Sequence, residues 1–231
     1  MQTRPDLTII VPALDEQATI HEVVDRLLAI PCAKQIVVVD DGSRDRTPKI
    51  LAEFGDKIVV KTNQNRRGKG RAIRIALESA EGIATIIQDA DLEYQPEEIL
   101  QVIQPILDGK VNVVYGTRFA QGMPDGMALP NRIVNRLLSL AVKVLYWRRL
   151  TDEATCYKAF RTDLLKSFDL QCERFEFCPE ATAKAIRLGE SILEVPITYI
   201  PRNKTAGKKI RWTDAPEAFW TLLKYRFWRK K

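Results

Sequence analysis

Short strand-like runs alternate with amphipathic stretches of 10 to 15 residues through the first half of the chain, and this alternation limits the fold more than anything else. Leu7–Pro12, Gln35–Val39, Lys57–Lys61, Ile83–Gln88 and Val111–Tyr115 read as strands. Between them, Asp15–Ala29, Asp45–Phe54, Lys69–Ala80 and Pro96–Leu107 carry apolar residues at helical spacing. Such alternation predicts an α/β fold, with a mostly parallel central sheet and helices on both faces. In sheets of that kind ligands sit outside the carboxyl ends of the strands. Asp15 and Glu16, Asp40 and Asp41, Asp89 and Asp91, and Arg118 all fall at those ends.

The second half reads differently. Pro130–Arg148 is a long amphipathic helix, Leu150–Phe160 a loop and strand, Phe175–Leu188 a helix and Ser191–Ile200 a strand. A last helix is expected over Asp214–Trp228, with Asp214 as N-cap and Glu217 three residues on. Charge is unevenly spread: the net +6 divides into +8 for residues 202–231 and −2 for the rest. A basic end on a nearly neutral body fits an anionic partner such as a membrane surface, a phosphate or nucleic acid. Zinc-ligand spacings, RNP-like segments and recognition-helix patterns do not occur, which argues against nucleic acid. Four cysteines without CxxC spacing are read as free thiols in a reducing cytoplasm. Neither a signal peptide nor a run of about 20 apolar residues is present in this sequence.

Asp89-Ala90-Asp91 is the sharpest chemical feature. Two carboxylates placed just after a buried strand can converge on one hard divalent cation, Mg²⁺ or Mn²⁺, with open positions left for phosphate oxygens. The plainer reading is an acidic turn capping the Pro96 helix. Asp40-Asp41-Gly42-Ser43 offers acceptors for ribose hydroxyls or a base N–H, against a plain Asp-Gly turn. Asp15 could N-cap the helix after it. Arg66-Arg67-Gly68-Lys69-Gly70 is a basic glycine-rich entry to a helix, suited to phosphate or to a nearby acid, and matches neither GxGxxG nor GxxxxGK[ST]. His21, the lone histidine, reads as a surface residue.

TIIVPALDE, VVVDDGSRDRT, NQNRRGKGRAIRIAL, IIQDADLEYQPEEI and YGTRF, in this order, resemble glycosyltransferase family 2 with the GT-A fold. Within it they are most similar to the dolichol-phosphate mannose synthase and polyprenyl-phosphate glycosyltransferase group. TDEATCYKAFRTDLL, FEFCPEATAKAI and EVPITYIPRNKTAGKKIRW extend the resemblance over nearly the whole chain. The resemblance implies a GT-A domain over 1–211, with a nucleotide-sugar half at 1–118 and an acceptor half at 119–211. A basic, aromatic amphipathic helix would follow at 212–231. It implies that Pro12, Leu14 and Glu16 hold the base, Asp41 with Asp40 beside it the nucleoside, and Lys69 the nucleotide. Asp89, Asp91 and Glu93 would hold the metal, with Asp89 also at the diphosphate and Asp91 catalytic. Arg118 and Arg132 would bind the acceptor phosphate, and Arg202 with Lys208 or Lys209 would close over the diphosphate. Leu14-Asp15 departs from the Tyr-Asn of many relatives, which leaves the base open.

The implied reaction moves a hexose, with inversion, from GDP-mannose or UDP-glucose to a polyprenyl or dolichyl phosphate. It would need Mg²⁺ or Mn²⁺, and it would take place peripherally at the cytoplasmic face of a membrane. A phosphate acceptor is already anionic, so no catalytic base is expected. The alternative is transfer to a sugar hydroxyl of a glycan, for which Asp152 or Glu153 is the available base. A homodimer or a membrane partner subunit is compatible with the sequence.

Overall fold

The first strand, β1 (Leu7–Ala13), is buried along almost its whole length, as a strand covered on both faces must be. In this computed structural model, which describes residues 4–120, 122, 126–202 and 215–230, β1 is an interior strand of a seven-stranded sheet. Chain order then runs α1 (Ile20–Leu28), β2 (Lys34–Asp40), α2 (Thr47–Ala52), β3 (Val59–Thr62), α3 (Lys69–Glu78), β4 (Ala84–Ile87), α4 (Ile99–Leu107) and β5 (Val113–Thr117). The second half supplies α5 (Leu129–Tyr146), β6 (Lys158–Arg161), α6 (Thr162–Lys166), α7 (Phe177–Arg187), β7 (Ile192–Pro196) and α8 (Ala215–Tyr225). Strand order across the sheet is β3-β2-β1-β4-β6-β5-β7. Every pairing is parallel except those of β6, which runs antiparallel between β4 and β5.

The expected strands and long helices are present, and their limits move for local reasons. α1 begins at Ile20 rather than near Asp15, because Asp15 is left-handed (φ +49°). The N–H groups of Glu16 and Gln17 donate instead to Thr47 Oγ1 and the Asp45 carboxylate. Asp15 therefore caps no helix; its carboxylate accepts from the Arg44 N–H and pairs with Arg66. The acidic pair at 89 and 91 does not cap the turn at Pro96 either, since the Asp91 carboxylate accepts from the Glu93 N–H. His21 lies at the surface against Asp25. All four cysteines are unbridged.

β6 and β7 join the same sheet as β1–β5, so no break in the sheet divides the chain at residue 118. α8 is likewise part of this body. Leu222 and Tyr225 are buried against α5 and α7, and the Tyr146 hydroxyl donates to the Leu222 carbonyl. Asp214 and the rest of 203–214 lie outside the described residues.

α8 is docked over a buried ion pair. Lys184 and Glu180 are both about 1 % exposed and one helical turn apart on α7. The Glu180 carboxylate also accepts from the Gln171 and Cys172 N–H groups. The rings of Tyr225 and Trp228 lie over the Lys184 ammonium. Removing one partner of a buried pair strands the other charge. Lys184→Met is therefore expected to cost about 3 kcal/mol of unfolding free energy in urea denaturation. A loss below about 1 kcal/mol would show that the pair contributes little to holding α7 and α8.

Candidate functional site

The carboxyl ends of β1, β2 and β4 are neighbours because the three strands are adjacent and parallel. Polar residues following them surround a cavity of about 580 Å³, within the range of sites that take small ligands. Pro12, Leu14, Glu16, Asp41, Lys69, Asp89, Asp91, Glu93, Arg118 and Arg202 all line it. The structure thus gathers ten of the residues singled out by sequence around one space.

Each acid there has a definite partner. The Asp41 carboxylate accepts from the Arg67 and Gly68 N–H groups and from the Asn63 side chain, which fixes the loop entering α3. That loop needs its glycines: Gly68 has φ +109°, and a Cβ on Gly70 would come within 2.9 Å of the Arg174 carbonyl oxygen. At the start of α3 the Lys69 ammonium pairs with Asp89 and reaches Cys156 Sγ at 3.1 Å. Burial works against both charges of this pair, yet their mutual attraction prevails. Lys69 is held well above its ordinary range and Asp89 below its own. Asp91 is different. Burial first, then the nearby Asp89 and Glu93, push it up to about 7 against the pull of Arg202. The Arg202 guanidinium bridges Asp91 (2.8 Å) and Glu16 (3.1 Å).

Across the cavity Arg118 forms a two-pronged ion pair with Asp152, at 2.7 Å for each prong. The rings of Tyr199 and Phe119 lie within 6 Å of its guanidinium. Asp152 is fully buried by this arrangement and serves to hold Arg118. Glu153, next in sequence, lines the cavity. One of its oxygens accepts from Thr182, the other has no hydrogen-bond partner, and burial raises the carboxyl to about 7.

The other residues singled out by sequence have the following contacts. Asp40 does not line the cavity; its carboxylate accepts from the Ser43 N–H and closes the turn, a structural task. Arg132 does not line it either, and its Nε donates to the Met127 carbonyl. The Glu93 carboxylate has partners of its own. Its oxygens accept from the Tyr199 hydroxyl and the Arg202 N–H, and no group of three His, Cys, Asp or Glu side chains among the described residues is arranged to hold an ion. Lys208 and Lys209 lie outside the described residues. Tyr94, Tyr199, Cys156 and Arg174 line the cavity without having been singled out. For Tyr199 the strand ending at Pro196 was the available signal, since it returns the chain to the sheet edge beside β5.

The remaining wall is mainly apolar, with Asn131 and Asn135 of α5 and Arg174 among its polar members. Met127, Val134 and Leu138 of α5 and the turn before it face Phe175, Phe177, Pro179, Ala215 and Ala218 of α7, α8 and the segment leading to α7. The cavity therefore runs from a charged end over the sheet to an apolar arm between helices.

Known proteins agree with this architecture. Glucosyl-3-phosphoglycerate synthase from Mycobacterium tuberculosis, crystallised with UDP, superposes with a TM-score of 0.77 at 20 % identity, covering 96 % of this chain and 80 % of that one. Other crystals of that enzyme hold Mn²⁺ or Mg²⁺ with UDP. The fold is accordingly α/β of the GT-A type. Glycosyltransferase AglJ of Haloferax volcanii is 28 % identical over 87 % of this chain and 65 % of its own length. The hexosyltransferase Agl6 of the same organism is 30 % identical over 88 % of this chain, which spans 50 % of that protein. A UDP-N-acetylglucosamine–dolichyl-phosphate N-acetylglucosaminyltransferase of Methanococcus voltae is 30 % identical over 83 % of this chain and 84 % of its own. The family model described as Glycosyl transferase family 2 spans residues 8–168, from β1 through the charged end of the cavity and past β6, and the chain belongs to that family.

Proposed function

We propose that the protein transfers a hexose from a nucleoside diphosphate sugar, GDP-mannose or UDP-glucose in class, to the phosphate of a polyprenyl or dolichyl carrier. It inverts the anomeric carbon, uses Mg²⁺ or Mn²⁺, and works peripherally at the cytoplasmic face of a membrane. The two-ended cavity carries this reading: a charged end suited to a diphosphate continues into an apolar arm between α5 and α8 suited to an isoprenoid chain. A relative named for transfer to dolichyl phosphate supports the same acceptor class.

Asp89 and Asp91 fit a divalent ion of the Mg²⁺ type. They are hard oxygen donors on a rigid strand end, and such ions are commonly bound by one or two carboxylates together with substrate phosphates. When bound there, the ion would act as a Lewis acid on the leaving diphosphate. The chain's own residues do the rest. Lys69 and Arg202 stand ready as fixed cations where charge develops on the leaving group. Glu16 and Leu14 border the end where a base would lie. Arg118, aimed by Asp152 and covered by Tyr199, presents a permanently charged planar group to a phosphate acceptor. An anionic acceptor oxygen has no proton to lose, so this route needs no base.

Thermal-shift screening of nucleotide sugars with Mn²⁺, followed by transfer to a short polyprenyl phosphate, tests the reading. Asp91→Ala is expected to abolish the metal-dependent shift. Arg118→Lys, which keeps the charge beside Asp152, is expected to retain donor binding and lose transfer by about 10²–10³-fold. Transfer unchanged in Arg118→Lys would remove Arg118 from the acceptor site.

The outer faces of the same helices support contact with a lipid surface. No helix among the described residues is long and apolar enough to cross a membrane. On α5, Leu129, Ile133, Leu137, Leu140 and Val144 form one exposed stripe, and Trp147 follows at 86 % exposure. Trp220 and Leu223 of α8, and Phe227 just after it, are also exposed, near Lys224, Arg226, Arg229 and Lys230 in sequence. Aromatic and basic residues together suit a headgroup layer, at about 1 kcal/mol per basic residue near anionic lipid. Deleting 212–231 would uncover Tyr146 and the α7 face, so a surface variant is the sounder probe. Trp220→Ser with Phe227→Ser is expected to abolish flotation with anionic vesicles while leaving the melting temperature within about 2 °C. Equal flotation would count against the surface.

One observation favours a second reading, transfer to a sugar hydroxyl. Glu153 lines the cavity with one unpartnered oxygen and a carboxyl near 7, the properties of a general base. On that reading kcat rises as pH passes through about 7, and Glu153→Gln loses both the rise and the activity. On the phosphate-acceptor reading Glu153→Gln keeps transfer within about threefold, well short of the 10²-fold or more expected from loss of a base.

A further inference from the structure

Leu92 separates two carboxylates of the strand-end loop and is itself left-handed, with φ +60°. Asp91 before it contacts the Arg202 guanidinium, while Glu93 after it takes the segment that carries Arg202. The Glu93 carboxylate accepts from the Tyr199 hydroxyl at 2.7 Å and the Arg202 N–H at 2.9 Å, and its main-chain carbonyl accepts from the Ile200 N–H. A bridge between Tyr94 and Tyr199 adds to this seam. The chain beyond β7 is thus pinned beside β4 by Glu93, and the pin sets where the guanidinium goes. The guanidinium spans the ends of the adjacent strands β1 and β4, through Glu16 and Asp91.

We propose that Arg202 is a built-in counter-cation, placed by Glu93 as positioning residue, that occupies Asp91 until a donor diphosphate gives the guanidinium another anion. Ion binding and diphosphate binding are thereby made interdependent. This inference rests on the reading of the cavity as an ion-assisted donor site and adds a rule for how that site fills.

The chemistry leaves Arg202 few alternatives. Its charge cannot be shed by deprotonation, so an incoming divalent ion at Asp91 meets a fixed positive group 2.8 Å from the same carboxylate oxygen. Without diphosphate, an ion at Asp91 would compete with the guanidinium for that carboxylate. With diphosphate present, the guanidinium would gain a partner offering two oxygens, and Asp91 would be released to the ion. Two ligands that each favour the same arrangement assist one another, and by linkage the assistance is mutual. Lys69 on Asp89 has the same relation to the other carboxylate, so both acids of the Asp-Ala-Asp turn are neutralised by the chain itself.

Glu93 supplies the sharpest contrast. As an ion ligand, its removal would weaken ion binding. As the residue that positions Arg202, its removal would loosen the counter-cation and strengthen binding of the bare ion.

The full-length chain is titrated with Mn²⁺ alone, followed by the electron paramagnetic resonance signal of the free ion, and again with UDP or GDP at a fixed level. Mn²⁺ is expected to bind the wild type at least about tenfold more tightly with the nucleoside diphosphate than without, after correction for binding to free nucleotide. Arg202→Gln is expected to bind bare Mn²⁺ about tenfold more tightly than wild type and to lose most of the enhancement by nucleotide. Glu93→Ala is expected to move bare-ion affinity in the same direction. Arg66→Gln removes a charge from the same cavity that pairs with Asp15 rather than Asp91. It is expected to change the affinity less than about twofold, which separates displacement at Asp91 from a general field effect.

Bare-ion affinity unchanged or weaker in Arg202→Gln overturns the proposal, as does weaker binding in Glu93→Ala. Circular dichroism melts establish that each variant is folded, and Glu93→Ala carries the test if Arg202→Gln is not. A wild type that takes up no Mn²⁺ with either nucleotide overturns the donor-site reading itself. Coupled binding in wild type that persists unaltered in Arg202→Gln overturns this inference alone.

Discussion

Acids gathered at the ends of adjacent parallel strands must be met by positive groups, and the architecture of the site stems from that demand. The sheet places Glu16, Asp41, Asp89 and Asp91 side by side, because β1, β2 and β4 are neighbours in register. Unpaired, they would repel across a partly dried space. The chain answers with two kinds of group. Asp41 is met by main-chain N–H groups of the glycine-rich loop, Asp89 by Lys69 at the start of α3, and Asp91 with Glu16 by Arg202 from beyond β7. One strand away, Arg118 and Asp152 repeat the pattern with the signs exchanged. Each partner lies far from its acid in sequence, so the site closes only when the whole sheet is formed.

The carboxylate at 91 marks the place where this neutralisation is least complete. Asp89 is drawn below its usual range by a cation committed to it, whereas Asp91 is lifted to about 7 by burial and by the neighbouring acids Asp89 and Glu93. The same contrast separates Asp152 from Glu153, where one acid is committed to an arginine and the next keeps an oxygen without a partner.

Strands and long helices were legible in the sequence because both faces of β1, β2 and β4 are buried and leave continuous apolar runs. The acids were legible because they end those runs. Partnerships were not. Nothing near Asp40 distinguishes it from Asp41, yet one turns back to Ser43 and the other outward to the loop at Gly68. Glu93 comes after the pair at 89 and 91 at the spacing of a third ligand, and next to the left-handed Leu92 its carboxylate also accepts from the Tyr199 hydroxyl. Arg132 sits one residue from a cavity-lining asparagine and is turned toward Met127. These outcomes depend on backbone conformation at single residues and on segments that return from more than 100 positions away. Local pattern carries neither. α6 has the same cause, since five residues are too few for a periodic signal.

The tail helix illustrates how composition can separate what packing joins. Its basic and aromatic residues set it apart from a nearly neutral body. In the fold its inner face is as much core as surface. Tyr225 and Trp228 cover Lys184, Lys184 is paired with Glu180, and Glu180 holds the N–H groups of Gln171 and Cys172. The next two residues, Glu173 and Arg174, accept from the N–H groups of Arg71 and Gly70, beside Lys69. A continuous series of contacts therefore runs from the helix that carries the exposed Trp220 to the lysine seated on Asp89. The series fixes geometry rather than transmitting a signal. It holds α8 and the charged end of the cavity in one frame, the arrangement that the proposed transfer from a water-soluble donor to a lipid-borne acceptor would require.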